Sequence, residues 1–230
     1  MNGVETARAY DAEARRARAE RILDAAADLL QRLGYRRLTM DDVAAHAGIG
    51  KGTIYLHWKT REALFEAVIQ REFAQLIREL ASAIRDDPEI ALPHRLGGLY
   101  FMTIMRRPLL RAFFRMDLEI MGNLTRLLHV REARLTQLRY DFVNLLLEYG
   151  VVRSDLSPDD LVYAYRTIIV GFFLADPMFE GDQPTLERRA QLLELILLEA
   201  FGQDAHPPKA AVKAIADHVL ELFSTVTVAE

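Results

Sequence analysis

Residues 48–58, GIGKGTIYLHW, combine the residue types that meet phosphate groups in proteins. The three glycines allow a close backbone approach, Lys51 supplies a cation, and Thr53, Tyr55 and His57 supply hydrogen-bonding groups. Two kinds of phosphate suit such a segment, that of a bound nucleotide and that of a DNA backbone. These possibilities belong to proteins of different classes, and the surrounding sequence distinguishes them.

A Walker-type nucleotide loop requires the pattern G-x-x-x-x-G-K-[ST] between a buried strand and a helix. Here Gly52 stands where serine or threonine is required, and Ala45 stands where the first glycine is required. The dinucleotide pattern G-x-G-x-x-G also fails, because Thr53 occupies its third glycine position. The preceding segment, MDDVAAHA, has the character of a helix rather than of a buried strand. The sequence therefore argues against a nucleotide site.

A helix-turn-helix accounts for the same residues. Thr39 and Asp42 have the spacing of a capping box, and Gly48 predicts the end of a helix of about two turns. A second short helix over residues 51–58 follows, and a tight turn between two such helices needs a glycine. The residues predicted to face inward are Val43, Ala44, Ala47, Ile54 and Trp58. The residues left on or beside the outer face are Lys51, Gly52, Thr53, Tyr55, Leu56 and His57.

Helical periodicity continues through almost the whole chain. Apolar residues at three- and four-residue steps, with caps and stop signals, predict the remaining helical segments: 14–33, 60–85, 108–120, 124–149, 157–175, 185–201 and 208–223. Convincing strand alternation is absent from the sequence apart from a possible short strand at 224–228. The pattern predicts an all-α chain whose first third reads long, short, short, long.

Composition narrows the class of protein. The chain has 230 residues, of which 51% are hydrophobic, so it can bury a substantial core. It has no cysteine, which excludes disulfides and thiolate chemistry. The N-terminus carries no apolar stretch suited to a signal peptide, and the longest apolar run, 167–179, is too short to span a bilayer. We expect a cytoplasmic protein with no membrane association.

Charge is distributed unevenly along the chain. The net charge is −4, but residues 1–62 hold eleven basic and nine acidic residues, which gives +2 there and leaves −6 for the remainder. This asymmetry is a weak indication of a polyanionic partner. The arginines of ARRARAER, residues 14–21, have two interpretations. They form a solvated helix face, or Arg15, Arg16 or Arg18 contacts the DNA backbone or a minor groove.

Residues 38–68, LTMDDVAAHAGIGKGTIYLHWKTREALFEAV, closely resemble the N-terminal domain of the TetR family of transcriptional regulators. The family pattern has a threonine, a short helix ending Ala-x-x-Ala-Gly, then Lys-Gly-Thr-x-Tyr, an aromatic residue and a leucine of the next helix. The resemblance implies a three-helix helix-turn-helix DNA-binding domain with its N-terminal arm in residues 1–62. It implies a larger C-terminal helical bundle for ligand binding and dimerisation in residues 63–230.

The resemblance also assigns roles to individual residues. Thr39 corresponds to the helix cap that also touches the DNA backbone, and Arg61 to a phosphate clamp where the family usually has lysine. Gly50 departs from the serine or other polar residue that many members carry there. The full predicted DNA-binding set is Thr39, Lys51, Gly52, Thr53, Tyr55, His57, Lys59 and Arg61.

The resemblance implies a ligand-responsive regulator, a repressor that binds a palindromic operator as a homodimer through 157–175 and 185–201. A small-molecule effector would bind in the bundle and shift the helix over 60–85, releasing the DNA. Candidate pocket residues are Tyr100, Met105, Phe114, Phe142, Tyr165 and Phe172, although ordinary core packing also explains them. Arg166 is a buried paired charge, an interface residue or a ligand contact.

Other functions remain open at the level of sequence. The same fold can activate transcription, and a helical bundle of this kind can bind a small molecule without any operator role. Enzymatic function is not expected, because no Ser/His/Asp signature is present and the histidines lack metal-ligand spacing. The sequence accordingly predicts no cofactor and no metal.

Overall fold

The computed structural model describes residues 3–122, 139–175, 178, 184–203 and 207–228. Helices make up most of these ranges, and the all-α prediction is confirmed. The described residues divide into two compact units, one drawn from the stretches 1–72 and 116–127 and the other from 73–115 and 128–230. The predicted functional boundary between residues 62 and 63 falls just after the start of a long helix at Arg61 and stays a prediction.

The first unit has the predicted long, short, short, long order. Its helices are α1 (Gly3–Arg37), α2 (Met40–Ala47), α3 (Lys51–His57) and the first part of α4 (Arg61–Asp86). The single turn α7 (Leu118–Met121), from later in the chain, also belongs to this unit. Thr60 caps α4 as predicted, since its Oγ1 accepts a hydrogen bond from the Ala63 N–H at 3.1 Å. Fully buried side chains from all the longer elements, including Ile22, Ile54 and Phe65, form the core of this unit.

α1 is interrupted at Gly34, the residue predicted to stop it. Gly34 has φ 71° and ψ 161°, a combination open almost only to glycine. A Cβ at this position would lie 2.5 Å from the carbonyl oxygen of Glu119, so the chain bends where α7 packs against it. α1 begins at Gly3, well before the predicted Ala14. Periodicity did not reveal these first turns, because they carry charged and small residues rather than an apolar stripe.

The second unit contains the remaining helices. They are the rest of α4, a 3-10 turn (Pro88–Ala91), α5 (Pro93–Met105), α6 (Pro108–Phe114), the described helical residues 139–148 (α8), α9 (Pro158–Ala175), α10 (Leu186–Phe201) and α11 (Lys209–Val228). The predicted helix over 124–149 is thus confirmed for its last part, and 124–138 lies outside the described residues. Ser157 and Thr185 cap α9 and α10 as predicted.

Two further predictions are wrong. The segment expected to run from Pro108 to Ile120 breaks after Phe114, where Met116 takes a positive φ of 53° and Asp117 caps α7. The strand expected at 224–228 is instead the end of α11. The Ser224 and Thr225 hydroxyls donate to the Glu221 and Leu222 carbonyls at 2.7 Å and 2.8 Å, so these residues satisfy their polar groups within the helix.

The core of the second unit is rich in aromatic rings. Phe114 and Phe173 stack with their centroids 4.9 Å apart, and Phe101 lies against Phe173 at 5.4 Å. The hydroxyl of Tyr165 donates a hydrogen bond to the carbonyl oxygen of Pro93 at 2.8 Å. These contacts tie α5, α6 and α9 together around the interior of this unit.

Candidate nucleic-acid interface and ligand cavity

Thr39 and Asp42 start α2 with a reciprocal pair of hydrogen bonds. The Asp42 backbone N–H donates to Thr39 Oγ1 at 3.2 Å, and the Thr39 backbone N–H donates to Asp42 Oδ2 at 2.9 Å. Hydrogen bonds from the Thr39 hydroxyl and backbone lower the pKa of the Asp42 carboxyl. Gly48 ends α2 in the left-handed region, with φ 65° and ψ 37°. The predicted capping box and glycine turn are confirmed, and they fix the short loop that leads into α3.

α3 has one buried side and one exposed side. Ile54 is completely buried, and Trp58 at the helix end is half-buried with its ring centroid 5.4 Å from that of His57. The side chains exposed on the opposite side are those of Lys51, Tyr55 and Leu56, next to the exposed Gly52. Lys51 and Tyr55 are four residues apart, so they lie side by side on the helix surface. The predicted inward and outward sides of α3 are confirmed.

Lys51 has a partner that the sequence did not suggest. Its Nζ lies 2.7 Å from Asp41 Oδ2, and this hydrogen bond raises the pKa of the lysine. Both side chains are exposed, so the pair holds Lys51 toward α2 without burying its charge. Because exposed ion pairs contribute little to stability, a phosphate can compete with Asp41 for the ammonium group.

His57 ends α3 in a basic environment. Partial burial lowers the pKa of its imidazole, and the positive charges of Arg15 and Arg18 lower it further. His57 and these two arginines of α1 therefore share one region of the surface, although they are about forty residues apart in sequence. Thr53, another predicted contact residue, is half-buried on the same helix.

Lys59 and Arg61 differ in their surroundings. Lys59 is exposed in the connection between α3 and α4. Arg61, in contrast, donates from Nη1 to the carbonyl oxygens of Tyr35 at 3.3 Å and Leu38 at 3.0 Å, and its guanidinium carbon lies 4.2 Å from the centre of the Tyr35 ring. Arg61 thus braces the end of α1 internally, a role that the motif did not reveal. Its predicted phosphate contact stays a prediction.

Tyr35 is the centre of this brace. Its hydroxyl donates to Glu62 Oε1 at 3.0 Å, and its ring packs edge-on against Phe65 with centroids 5.6 Å apart. Burial raises the pKa of the Tyr35 phenol. A Cβ at Gly122 would lie 2.6 Å from Tyr35 Cδ1, so the end of α7 also rests on this ring. The start of α4, immediately after the candidate interface, is therefore held by aromatic and ionic contacts.

The second unit encloses a cavity of about 360 Å³. Aliphatic and aromatic side chains from α4, α5, α6, α8, α9 and α11 make up most of its wall. Four lining side chains carry polar groups, namely Tyr100, Tyr165, Arg139 and Arg166, and the described lining includes no carboxylate. Burial raises the pKa of Tyr165, which keeps its phenol neutral. The cavity has the size and composition of a site for a small apolar molecule.

Comparison with protein families places the first unit. Residues 22–68 match the family described as bacterial regulatory proteins, tetR family. This stretch runs from the buried part of α1 through the whole candidate interface into α4. Residues 22–68 thus carry the N-terminal domain of the TetR family, and the resemblance found in the sequence is confirmed. The helix-turn-helix formed by α2 and α3 is the DNA-binding element of this domain.

Individual relatives support this placement. The Bacillus subtilis regulator YhgD is 39% identical over 72 residues, which are 31% of this chain and 36% of that protein. The repressor KstR2 of Mycolicibacterium smegmatis is 29% identical over 154 residues, which are 64% of this chain and 73% of KstR2. The structure of Bacillus subtilis FadR in complex with stearoyl-CoA has a TM-score of 0.58 at 17% identity, covering 77% of this chain and 96% of FadR. Thus the match to YhgD spans about a third of that relative, whereas the fold agrees over most of FadR.

The cavity of the second unit contains only part of the predicted pocket set. Tyr100, Phe114, Phe142 and Tyr165 line it. Met105 and Phe172 do not belong to the described lining: Met105 is buried in the helical core, and Phe172 packs edge-on against Phe101 at 5.8 Å. Periodicity alone could not separate them, because a core residue and a wall residue have the same apolar character.

Arg166 lines the same cavity and is itself exposed to solvent. Of the three interpretations that the sequence left open for this residue, a fully buried charge is therefore wrong. Within the described ranges, histidine, aspartate and glutamate side chains form no group of three that could hold a metal ion. No helix in these ranges is long and apolar enough to cross a membrane.

Proposed function

We propose that this protein is a dimeric transcriptional repressor that leaves its operator when a small apolar effector binds. The observation that carries the proposal is the exposed side of α3, where Lys51 and Tyr55 stand beside each other on a helix fixed by the buried Ile54. Such a helix fits the major groove, where lysine and tyrosine reach phosphates and base edges. The name of the relative KstR2, a transcriptional repressor, favours repression over activation.

The proposed DNA-contacting set is the one derived from the motif. Thr39, Lys59 and Arg61 would contact phosphates, and the residues of α3 would contact bases and phosphates: Lys51, Gly52, Thr53, Tyr55 and His57. The ammonium group of Lys51 would leave the Asp41 carboxylate and bind a phosphate oxygen, since the Lys51–Asp41 pair is exposed. A regulator of this type acts in the cytoplasm, together with the DNA.

Dimerisation would pair two recognition helices with successive major grooves, about 34–36 Å apart. The proposed interface is formed by 157–175 and 185–201. Large apolar side chains are exposed there: Tyr163 is 73% exposed and Val170 45% on α9, and Leu195 is 52% exposed and Ile196 41% on α10. Because soluble proteins rarely leave such groups together in water, a second copy of the chain is the proposed cover.

The charges of the cavity wall indicate the chemistry of the effector. Arg139 and Arg166 are the charged residues of the described lining, and both are more exposed than its fully buried rings Phe113 and Phe173. A cation placed between apolar walls and two guanidinium groups would lose hydration without gaining an opposite charge. We therefore expect a molecule with an apolar body and a neutral or anionic polar group, and the stearoyl-CoA complex of FadR is consistent with this class.

α4 is the element proposed to link the effector to the DNA. Its first turn carries Arg61 and Glu62, which brace Tyr35, and further along Phe73, Leu76 and Leu80 line the cavity. A helix transmits a displacement along its length because its backbone hydrogen bonds keep it rigid. If the effector fits the cavity in one position of α4 and the operator requires the other, effector binding lowers operator affinity. The size of the decrease is set by the difference between the effector's affinities for the two positions.

Selection of duplexes from a random-sequence DNA library with the purified protein tests the operator role. We expect one palindromic sequence to be enriched and to bind with an affinity at least about a thousandfold above that of a scrambled duplex. Transcription in vitro from a promoter that contains this sequence should then fall when the protein is added. Enrichment without a common sequence would contradict the operator role, and increased transcription would indicate an activator.

Three ligands with the same decyl chain test the effector class: decanoate, 1-decanol and decyltrimethylammonium. We expect the first two to raise the thermal midpoint of the protein and to release the selected duplex, because binding to the folded state stabilises it. The cation should do neither. Arg166→Gln should weaken the effect of decanoate but not that of decanol, whereas Arg111→Gln, at an exposed position of α6 outside the described lining, should change neither. Equal responses to all three ligands would contradict the proposed charge preference.

A further inference from the structure

α1 is longer than the first unit needs for its core. The helix begins at Gly3, and from Tyr10 onward its first buried side chain is Ile22. The side chains at 10–18 are all exposed. At a rise of 1.5 Å per residue, residues 3–21 extend α1 by about 28 Å beyond its first buried residue. Alanine, arginine and glutamate dominate this extension, and these residues favour a helix without tertiary support.

One stripe of α1 changes character at the edge of the core. Ile22, Ala26 and Leu29 lie on the buried side of the helix at three- and four-residue spacing. The same spacing, followed backwards along the chain, leads to Arg18 and Arg15. The side of α1 that is apolar where it is covered therefore carries two arginines where it is first exposed, and Asp11 follows one turn before Arg15.

Two acidic residues of α1 are paired with another helix of the protein. Arg71 of α4 donates to Glu20 at 3.0 Å and to Asp24 at 2.8 Å, and both of these acids lie on another side of α1. Arg15 and Arg18 make no hydrogen bond or ion pair in the part of the chain that the structure describes. Glu20 and Asp24 thus face a protein partner, whereas Arg15 and Arg18 face none among the described residues.

The two arginines lie beside the recognition helix. Their positive charges help to lower the pKa of the imidazole of His57, the last residue of α3. A charge effect of this kind extends over about 10 Å in solution. Like charges gathered on one surface repel one another, and a row of phosphates would relieve that repulsion.

We infer that the exposed extension of α1 is a second DNA-binding element, in which Arg15 and Arg18 bind phosphates flanking the groove that α3 enters. The inference rests on the proposed operator role of α3 and adds a contact that the helix-turn-helix motif does not include. Guanidinium groups suit phosphate oxygens because they donate two parallel hydrogen bonds. Phosphate contacts position the protein and raise affinity for every sequence, so this element contributes affinity rather than sequence preference.

The test compares two double variants of the full-length chain. Arg15→Ala/Arg18→Ala removes the proposed phosphate contacts, and Arg16→Ala/Arg21→Ala removes the same charge from other sides of the same helix. Alanine at these exposed helical positions should preserve folding, which circular dichroism and the thermal midpoint will verify. Anisotropy of the duplex selected from the random library and of a scrambled duplex is then measured over a range of salt concentrations.

The first variant should bind both duplexes about tenfold more weakly and should lower the slope of log K against log salt by about 2. The control variant should retain the affinity and slope of the wild type to within about threefold. Arg15→Lys/Arg18→Lys should recover most of the slope, since it restores both charges.

Three results would overturn the inference. If the two double variants bind equally well with equal slopes, Arg15 and Arg18 do not contact phosphates, and the operator role of α3 stands. If the first variant weakens binding to the selected duplex alone, these arginines read bases instead. If the wild type enriches no duplex from the library, the proposed operator role fails, and the inference fails with it.

Discussion

The two units of the molecule differ in where each carries its candidate site. In the first unit the candidate site is outside, on α3, and the interior is filled by side chains such as Ile22, Ile54 and Phe65 that are completely buried. In the second unit the candidate site is inside, as a cavity of about 360 Å³ among the core helices. The first site is separate from the core, whereas the second is a gap in it.

This difference separates two kinds of mutational effect. Substitutions on the exposed side of α3 should change DNA affinity and leave the free energy of unfolding unchanged. Substitutions in the cavity wall should change stability together with effector binding, because each wall residue also packs against the core. The following substitutions test this separation, from the largest expected effect to the smallest.

Phe173→Ala should have the largest effect. Phe173 is 1% exposed, stacks on Phe114 and lines the cavity, so its loss should cost about 3–5 kcal/mol in the free energy of unfolding. The neighbouring Phe172 is half-buried and outside the described lining, so Phe172→Ala should cost less and leave effector binding intact. Urea unfolding followed by circular dichroism measures both. Equal losses from the two substitutions would contradict the distinction between wall and surrounding core.

Gly34→Ala should destabilise the first unit by about 2–3 kcal/mol, because alanine is strained at φ 71° and ψ 161°. The added Cβ would also approach the Glu119 carbonyl oxygen to 2.5 Å. Gly48→Ala is the control: it too has a positive φ, but its Cβ would meet no atom within 4 Å, so we expect about 1–2 kcal/mol. Denaturant unfolding monitored through Trp58 compares them. A larger loss from Gly48→Ala would show that α7 does not constrain α1 at Gly34.

Arg61→Ala tests a residue that belongs to both the interior and the proposed interface. Losing its hydrogen bonds to the Tyr35 and Leu38 carbonyls should cost about 2 kcal/mol of stability. Lys59→Ala, at an exposed position, should cost less than about 0.5 kcal/mol. If both side chains bind phosphates, each substitution should lower the salt slope of DNA binding by about 1. If Arg61→Ala leaves the salt slope of DNA binding unchanged, Arg61 acts only as an internal brace.

Tyr55→Ala should weaken binding to the selected duplex by about 1–3 kcal/mol while the thermal midpoint stays constant. Tyr55 is 37% exposed and does not belong to the buried core. Tyr149→Ala is a matched control, because Tyr149 is 40% exposed and lies in the second unit. DNA affinity that is equally reduced in both variants would remove Tyr55 from the interface.

His57→Gln should produce the smallest change, seen in the pH dependence. Burial and the charges of Arg15 and Arg18 hold the pKa of His57 below its ordinary value, so the unfolded chain takes up the proton first as pH falls. Stability associated with neutral His57 is therefore present above about pH 6.5 and is lost as pH decreases toward the folded pKa. Phosphates favour the imidazolium, so DNA affinity should instead increase as pH falls through this range.

His57→Gln should weaken the pH dependence of both the free energy of unfolding and the DNA affinity relative to the wild type. Anisotropy titrations and urea unfolding at matched pH values between 5 and 8 measure them separately. If operator affinity increases equally with and without the histidine, His57 is not close to a phosphate in the complex.

Local signals explain why the first unit could be predicted in detail. The Thr39–Asp42 box, the Gly48 turn and the Thr60 cap involve residues at most three positions apart, and their chemistry is set by backbone hydrogen bonding. The second unit offered only caps and periodicity, which located α9 and α10 but not the break after Phe114. No local rule required that break, because Met116 takes its positive φ only within the folded chain.

What the sequence determined by itself is the all-α class, the helix-turn-helix and the outward side of α3, because each depends on short-range spacing. What only the tertiary structure decided depends on residues that are distant in sequence. Arg61 reaches back to Tyr35, Arg15 and Arg18 lie near His57, and Phe142 lines the cavity whereas Phe172 does not. Contacts of this kind follow from how whole helices pack, and helix packing depends on the shape of every side chain in the core at once.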